Sequence, residues 1–372
     1  MNATRPQGIH RSPLGAGLAL ALLAVTTLLG GCATATADEP ISEAAQAQAE
    51  PDTQEPTADG ALRNAYALTT SGELVELRPS DGTVIRSVAT DPLWTGSTLT
   101  ISADGAYAYV HAYDSEDDAG PEWPGSIQRI ALSPSEPEGT ADVETVVTTA
   151  TSPAVSPDGR FLAYYSVAPW KEPLSQRSLT VMDLTTGEVT ASIPDPECVE
   201  CERLVTPPTW TPDSARIVVG LGWFDEFPAA ALWEVDPATT PTLGDARRVG
   251  PDNTGDVQAD WFGTTSFTAA GTLAVPAEEG TADQWAAAAA YAFGDGPKEN
   301  LPAGLVALVD VTDGSVVGRI PVDGIAISLA AEPGGNQLLV VVSHPDTEIP
   351  QLYRWDGSAL VQLADGFAAI GW

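Results

Sequence analysis

The feature that most constrains this chain is a repeated unit of short strands and tight turns, clearest between Ser152 and Ile193. Pro157-Asp158-Gly159 predicts a first turn, because Pro presets φ and Gly supplies a positive φ. Thr185-Thr186-Gly187 predicts a last turn in the same way. The predicted strands of this unit are Pro153–Ser156, Phe161–Ser166, Ser178–Leu184 and Glu188–Ile193. One such antiparallel unit cannot bury both of its faces, so further copies are expected.

The same pattern recurs along the chain. Asp104 and Asp158 are 54 residues apart, and Asp158 and Asp213 are 55 apart. Turns before a second strand are predicted at Ser102–Gly105, Thr211–Ser214, Ala269–Gly271 and Glu332–Gly335. Third strands are predicted at Glu73–Leu77, Ile127–Leu132, Leu179–Leu184, Ala231–Val235, Leu305–Val311 and Gln351–Trp355. A fixed period of this length predicts a repeat fold.

With these motifs the chain resembles the TolB-type, WD40-like six-bladed propellers. The matching stretches are Ser156–Gly159 with Phe161–Ser166 and Met182–Gly187, and Thr211–Ser214 with Arg216–Gly220. The resemblance covers roughly residues 62–372 and implies an all-β fold, a six-bladed β-propeller of four-stranded antiparallel blades over 61–372. TolB has a separate α/β domain before its propeller. We expect none here, so the partner of TolB is not carried over.

The first blade is predicted to draw on both ends of the chain. Residues 62–90 supply three strands, Ala65–Thr69, Glu73–Leu77 and Thr83–Val88. Phe367–Trp372 resembles Leu204–Trp210, which also ends in Trp before a turn. We therefore predict that the C-terminal strand completes the first blade and closes the ring.

Residues 1–31 are predicted to be a lipoprotein signal peptide. Arg5 and Arg11 precede the apolar stretch Leu14–Leu29, which is short for a membrane span. Leu29-Gly30-Gly31-Cys32 resembles a bacterial lipobox, which implies a diacylglyceryl group and palmitate on Cys32. An ordinary secretory peptide with an incidental Cys is the alternative. The lipid reading places the protein at the extracytoplasmic face of the cell membrane.

Residues 32–60 are predicted to be the lipidated Cys followed by a disordered acidic tether. Ala33–Gly60 holds seven acidic residues, no basic residue and no aromatic residue. Such a composition cannot bury enough apolar surface to order itself. As a flexible coil it would span roughly 30 Å.

The charge of the chain excludes nucleic-acid binding. The mature chain keeps 14 basic against 51 acidic residues, a net charge of −37. Binding to phosphate backbones requires a basic face. A solvated exterior explains most of this charge, and binding of cations or basic partners is the alternative.

Cys198 and Cys201 form a Cys-Val-Glu-Cys pair between Pro196 and Pro207. Outside the cytosol we expect a structural disulfide that fixes a loop. A redox or metal role remains open, although redox Cys-x-x-Cys pairs normally open a helix and zinc would need two more ligands.

The long loops are predicted to lie on one face of the propeller, since all of them follow a second or fourth strand. They are Ala112–Gly125, Val167–Arg177, Leu221–Ala230 and Pro276–Gly304. No helix is predicted, and the Ala286–Ala290 run is placed in the last of these loops. The aromatic residues that we expect to bind a ligand or partner there are Trp123, Trp170, Trp223, Phe224, Trp285 and Tyr291. The alternative is that each Trp covers only its own loop.

Metal and catalytic signals are weak. Asp114, Glu116, Asp117 and Asp118 could bind calcium but lack EF-hand spacing, so a solvated acidic loop is the alternative. His111 and His344 are the histidines of the mature chain, and no Gly-x-Ser-x-Gly, His-Glu-x-x-His or phosphate loop occurs.

We therefore predict a membrane-anchored, non-catalytic binding or scaffold module without a cofactor. It would recognise a protein, peptide or envelope glycan through the long-loop face. A propeller hydrolase or lyase with a site on the same face, built on His111 or His344, is the alternative.

Overall fold

The protein is represented by a computed structural model. The structure describes residues 63–94, 98–113, 125–132, 141–167, 177–196, 203–223, 231–250, 257–259, 263–292, 300–344, 347 and 349–372. The signal peptide, Cys32 and the tether lie outside them.

The described residues are mainly short antiparallel strands. In chain order these are β1 (Ala65–Thr69), β2 (Glu73–Leu77), β3 (Val84–Thr90), β4 (Leu99–Ile101), β5 (Tyr107–Tyr113), β6 (Gly125–Ala131), β7 (Val143–Val155), β8 (Phe161–Val167), β9 (Arg177–Asp183), β10 (Val189–Pro194), β11 (Arg203–Val205), β12 (Thr209–Trp210), β13 (Ile217–Trp223), β14 (Ala231–Val235), β15 (Arg247–Arg248), β16 (Val257–Ala259), β17 (Ser266–Phe267), β18 (Leu273–Glu279), β19 (Ala303–Val309), β20 (Val316–Pro321), β21 (Ile325–Ala331), β22 (Leu338–Ser343), β23 (Gln351–Trp355), β24 (Leu360–Asp365) and β25 (Phe367–Gly371).

These strands form several sheets, and neighbours within each sheet run antiparallel. The orders are β25-β1-β2-β3, β10-β9-β8-β7-β6-β5-β4, β11-β13-β14-β15 with β12 also on β13, β16-β18-β19-β20 with β17 also on β18, and β21-β22-β23-β24. The all-β prediction is thus confirmed. Predicted strands Ala65–Thr69, Glu73–Leu77, Ala231–Val235 and Gln351–Trp355 match the observed bounds.

The seven-stranded sheet consists of two four-stranded units that share β7. The first half of β7 pairs with β6 and the second half pairs with β8. Thr149 and Ser152 have φ values of 58° and 56°, which bend the strand where it passes from one unit to the next. The predicted strand Pro153–Ser156 therefore begins ten residues earlier, at Val143.

The tight turns form as their sequences predict. Gly159 and Gly187 have φ values of 73° and 72°, in the left-handed region that Gly adopts without a steric penalty. Gly159 N–H donates to Ser156 O at 2.8 Å, and Gly187 N–H donates to Asp183 O at 2.8 Å. These turns fix the register of the strands on either side.

The last strand of the chain pairs with the first. Tyr66 lies opposite Gly371 and Ala67 lies opposite Ile370. Phe367 and Ile370 are 4% and 2% exposed and belong to a core cluster that also contains Ala67, Leu77 and Leu339. Beyond the strand, the Trp372 indole N–H donates to Arg63 O at 3.2 Å.

The core fills the spaces between neighbouring sheets. One cluster brings Leu179 and Ile193 of β9 and β10 together with Ile217 and Val219 of β13. Arginines add polar links between sheets: Arg86 donates to Leu132 O at 3.1 Å, and Arg354 donates to Ser80 O at 2.7 Å. Each sheet thus buries its faces against its neighbours, as expected for a repeat fold.

A helix corrects one prediction. The Ala286–Ala290 run, expected to be loop, belongs to the α-helix α1 (Ala282–Ala292). Thr281 and Gln284 form a capping box, because Gln284 N–H donates to Thr281 Oγ1 at 3.4 Å and Thr281 N–H donates to Gln284 Oε1 at 2.9 Å. The prediction depended on finding an amphipathic stripe, which an alanine-rich run does not show. Alanine propensity and this cap are nevertheless enough to form a short helix.

Within the described part of the chain, no helix has the length and apolar character needed to cross a bilayer.

Candidate functional site

A cavity of about 640 Å³ lies where the innermost strands of the sheets converge. Its walls come from six stretches far apart in sequence. These are Thr98–Gly105, Pro153–Pro157, Pro207–Trp210 with Pro212, Thr264–Ala269, Leu329–Gly334 and Ile370–Trp372. The cavity is also lined by Arg63, Asn64, Tyr66 and Glu76, from the chain segment beside Ile370–Trp372. The volume lies within the range of small-ligand sites.

Hydroxyl and indole groups link these innermost stretches to one another. Val155 N–H donates to Thr100 Oγ1 at 3.3 Å, and the Trp210 indole N–H donates to Ala154 O at 3.0 Å. Thr209 Oγ1 donates to Thr265 O at 3.0 Å. The cavity wall is therefore held together by side chains of successive units.

The same kind of link continues through the last units. Ala331 N–H donates to Ser266 Oγ at 3.0 Å, and Ile370 N–H donates to Ser328 Oγ at 3.1 Å. Gly371 packs so closely on Ile101 that a Cβ there would lie 2.9 Å from Ile101 Cγ1. These contacts bring β25 between β21 and β4.

The turns at the cavity rim share one construction. Ser102 Oγ donates to Asp104 Oδ1 at 2.6 Å and accepts from Tyr107 N–H at 2.9 Å. Thr211 makes the corresponding contacts with Asp213, at 2.5 Å, and with Arg216 N–H, at 3.0 Å. The hydroxyl hydrogen bonds and the backbone N–H groups stabilise the charged carboxylates, and they lower the pKa of Asp104 and of Asp213.

In the turn Glu332–Gly335, Glu332 stands where the other rim turns have a Ser or Thr, and the Asp that pairs with that hydroxyl is missing. Its N–H donates to Gln337 O at 2.9 Å, as Ser102 N–H donates to Tyr107 O at 2.8 Å. Where the other turn has Asp104, this turn has Gly334. The Glu332 carboxylate makes no hydrogen bond like that of the Ser or Thr hydroxyl, and it lies instead against Gly335 of the same turn, where a Cβ would collide with it.

A half-buried polar cluster forms one side of the cavity. Glu76 accepts from Arg86 Nε at 2.6 Å and from Asn64 Nδ2 at 2.5 Å. Burial, and then the charge of Glu76, raise the pKa of the neighbouring Tyr66 hydroxyl. This side of the cavity thus carries a carboxylate that is already paired.

The two histidines lie apart from the cavity lining. His111 is 2% exposed in β5, and its Nε2 makes no hydrogen bond within the described structure. Its ring meets that of Tyr113 edge to face at 4.7 Å, and burial lowers the pKa of His111 to about 4. His344 Nε2 lies 3.6 Å from Asp323 Oδ1. A side chain as buried as His111 is not placed to contact a substrate.

The described structure reaches only part of the predicted binding surface. Trp285 is half-buried on α1, and its buried indole nitrogen makes no hydrogen bond to any residue that the structure describes. Trp223 ends β13, and Tyr291 lies in the last turn of α1. The other predicted site residues, Trp123, Trp170, Phe224, Cys198, Cys201, Asp114, Glu116, Asp117 and Asp118, lie outside the described residues. Among the described residues, no cluster of three or more His, Cys, Asp or Glu side chains is placed to hold a metal ion.

Sequence reasoning did not identify the cavity. Its wall is rich in residues unusual for strands, including Pro153, Pro207 and Pro208. Proline is confined to unpaired strand edges because it lacks an N–H. These prolines lie just before or within predicted first strands. They could have indicated that the outer edge of each first strand is unpaired and faces a cavity.

Comparison with known proteins identifies the fold. No protein-family model matches the chain, and no curated protein sequence matches it. Among solved structures, TolB from Acinetobacter baumannii superposes with a TM-score of 0.52 and 14% identity, covering 83% of this chain and 65% of that one. The chain thus spans slightly less than two thirds of that TolB.

The structure search also found two other solved structures similar to this chain. A nidogen/laminin complex gives a TM-score of 0.52 with 10% identity, over 83% of this chain and 97% of the other. A periplasmic gluconolactonase from Pseudomonas aeruginosa gives 0.48 with 16% identity, over 83% and 98%. At such identities the likeness defines the fold alone, and that fold is a TolB-like β-propeller.

Proposed function

We propose that this protein is an extracytoplasmic β-propeller lipoprotein, anchored through Cys32, that binds a protein, peptide or envelope glycan through its long-loop face. The proposal includes six blades, with β25 as the innermost strand of the first and as the closure of the ring. Pairing of β25 with β1, and the contacts of β25 toward β21 and β4, support that closure.

One observation carries the assignment of the binding face. The turns that join first to second strands come together around the cavity, as Ser102–Gly105, Ala269 and Glu332–Gly334 all line it. Because the sheets are antiparallel, connections from second to third strands leave from the opposite end. Four of these connections, after β5, β8, β13 and β18, contain the predicted aromatic residues other than Trp223, which ends β13.

Aromatic residues gathered on one end of a rigid scaffold are typical of a recognition surface. Trp285 supports this interpretation, because its side chain is only half-buried and leaves part of a large aromatic surface exposed. The burial of His111 argues against the hydrolase or lyase alternative in its His111 form.

Changing Trp170, Trp223 and Trp285 together to Ala is expected to abolish capture of the partner, because large rigid aromatic contacts dominate binding energy. Capture from an envelope extract, followed by mass spectrometry, measures this. Trp355→Ala is the matched control: it removes an indole at the opposite end of a third strand and should leave capture intact. Equal capture by the triple variant and the parent protein would refute the long-loop face.

A further inference from the structure

The first described residue, Arg63, marks the point where the chain enters the propeller. Arg63 and Asn64 line the cavity, and the Trp372 indole N–H donates to Arg63 O at 3.2 Å. In another sheet the same position, before a second strand, is taken by the turn Ser102–Gly105, which also lines the cavity. The segment that connects Cys32 to the propeller therefore joins it at the cavity rim.

The long-loop face lies at the other end of the strands from this junction. β5 and β18 follow turns that line the cavity, and they end where the connections with Trp123 and Trp285 begin. Each of these strands has seven residues, which span roughly 20 Å. The entry of the chain and the predicted aromatic residues are thus separated by the length of a strand.

The entry point also lies on the inner side of its sheet. Arg63 precedes β1, which pairs with β25 and β2, and β3 is the outermost strand. A chain that leaves Arg63 for the long-loop end has to pass β2 and β3, about 10 Å, and then run roughly 20 Å along a strand. That path requires the whole span of roughly 30 Å predicted for Ala33–Gly60 as a coil, so placing the long-loop face on the membrane would stretch the tether.

The charge of the chain offers nothing to offset this stretching. The mature chain has a net charge of −37, and Ala33–Gly60 has seven acidic residues and no basic residue. Surfaces with anionic lipids attract polybasic segments and repel acidic ones. Contact between the long-loop face and the anchoring membrane is therefore disfavoured by both tether length and charge.

We propose that the anchored protein holds its cavity face toward the membrane and presents its long-loop face away from it. The partner of that face is then a component of the envelope beyond the anchoring membrane, and it is not the lipid headgroups of that membrane. This inference rests on the proposed function, both for the anchor at Cys32 and for the binding role of the long-loop face.

Energy transfer from a fluorophore to acceptor-labelled lipid headgroups tests the orientation. The mature chain carries a hexahistidine tag in place of Cys32 and is attached to phosphatidylcholine vesicles that contain a nickel-chelating lipid. The fluorophore is linked to an azide-bearing residue that replaces either Ala269 at the cavity rim or Ala282 at the start of α1, exposed positions at opposite ends of β18. Because these positions are roughly 20 Å apart along β18, transfer from Ala269 is expected to be about twofold greater. Equal transfer, or greater transfer from Ala282, would overturn the proposal.

A circular permutant provides the matched control. It joins Trp372 to Arg63 through a short turn, opens the chain after the exposed Thr347 between β22 and β23, and carries the same tag and tether sequence there. Moving the attachment to the long-loop end should reverse the order of transfer. A folded permutant that keeps the parental order would show that the attachment point does not set the orientation, and the comparison of Ala269 with Ala282 holds without the permutant.

Two further observations separate this inference from the proposed function. The untagged mature chain should not sediment with vesicles that contain phosphatidylglycerol, and its sedimentation with them would overturn the exclusion of lipid headgroups. Attachment through the tag requires neither lipidation of Cys32 in the cell nor capture of a partner. Failure of either would refute the proposed function and leave the order of energy transfer unchanged.

Discussion

A chain that ends at Gly366 is expected to lose its cooperative unfolding transition. The deletion removes β25, with Phe367 and Ile370 at 4% and 2% exposure, and uncovers the edge of β1. Truncating a buried Phe costs about 3–5 kcal/mol, and truncating a buried Ile costs about 2–5 kcal/mol. Together these losses approach the whole stability of a typical domain, about 5–15 kcal/mol. Urea unfolding followed by tryptophan fluorescence measures the effect.

A circular permutant controls for the composition of the deleted segment. Placing Phe367–Trp372 before Arg63, through a Ser-Pro-Asp-Gly turn copied from Ser156–Gly159, makes β25 and β1 a hairpin. The Trp372 indole already contacts Arg63 O at 3.2 Å, so a short turn can join them. This permutant should regain the transition. A deletion variant that unfolds at the same urea concentration as the full chain would show that β25 does not hold the fold together.

Replacing His111 by Gln is expected to reduce the acid sensitivity of the protein between pH 7 and pH 4.5. Burial lowers the folded-state pKa of His111 to about 4 from an ordinary value of 6.5. The unfolded chain therefore binds a proton below pH 6.5 that the folded chain refuses until about pH 4, and stability falls as the pH drops through that window. At about 1.4 kcal/mol per pKa unit, the loss by pH 4.5 is about 2–3 kcal/mol.

The difference in stability between pH 7 and pH 4.5, measured by urea unfolding, should be smaller in His111→Gln by that amount. His111→Leu serves where the buried amide lowers stability too far, because only the slope with pH is tested. The rim carboxylates Asp104 and Asp213 have pKa values below their usual 3.8, so they titrate below this window. An unchanged slope in both His111 variants would contradict the buried neutral imidazole.

The strands were predictable because their signals are local. Alternating apolar residues and Gly-bearing turns fix the strands β2, β14 and β23, whose predicted bounds match the structure. The helix α1 was missed because a Thr-x-x-Gln cap with an alanine run carries little periodicity. The cavity was missed because its wall joins Thr100, Thr209 and Glu332, which are separated by more than 100 residues.

By itself, the sequence determined that this chain is an all-β repeat of short strands with tight turns, because period-2 alternation and turn residues act over only a few positions. The tertiary structure alone decided which residues face the cavity and which histidine is buried. Glu332 and Ser102 begin similar turns, but only convergence of the sheets shows that both line one space. His111 and His344 look alike in the sequence, and the charged form of His111 is costly because of the tertiary packing around it.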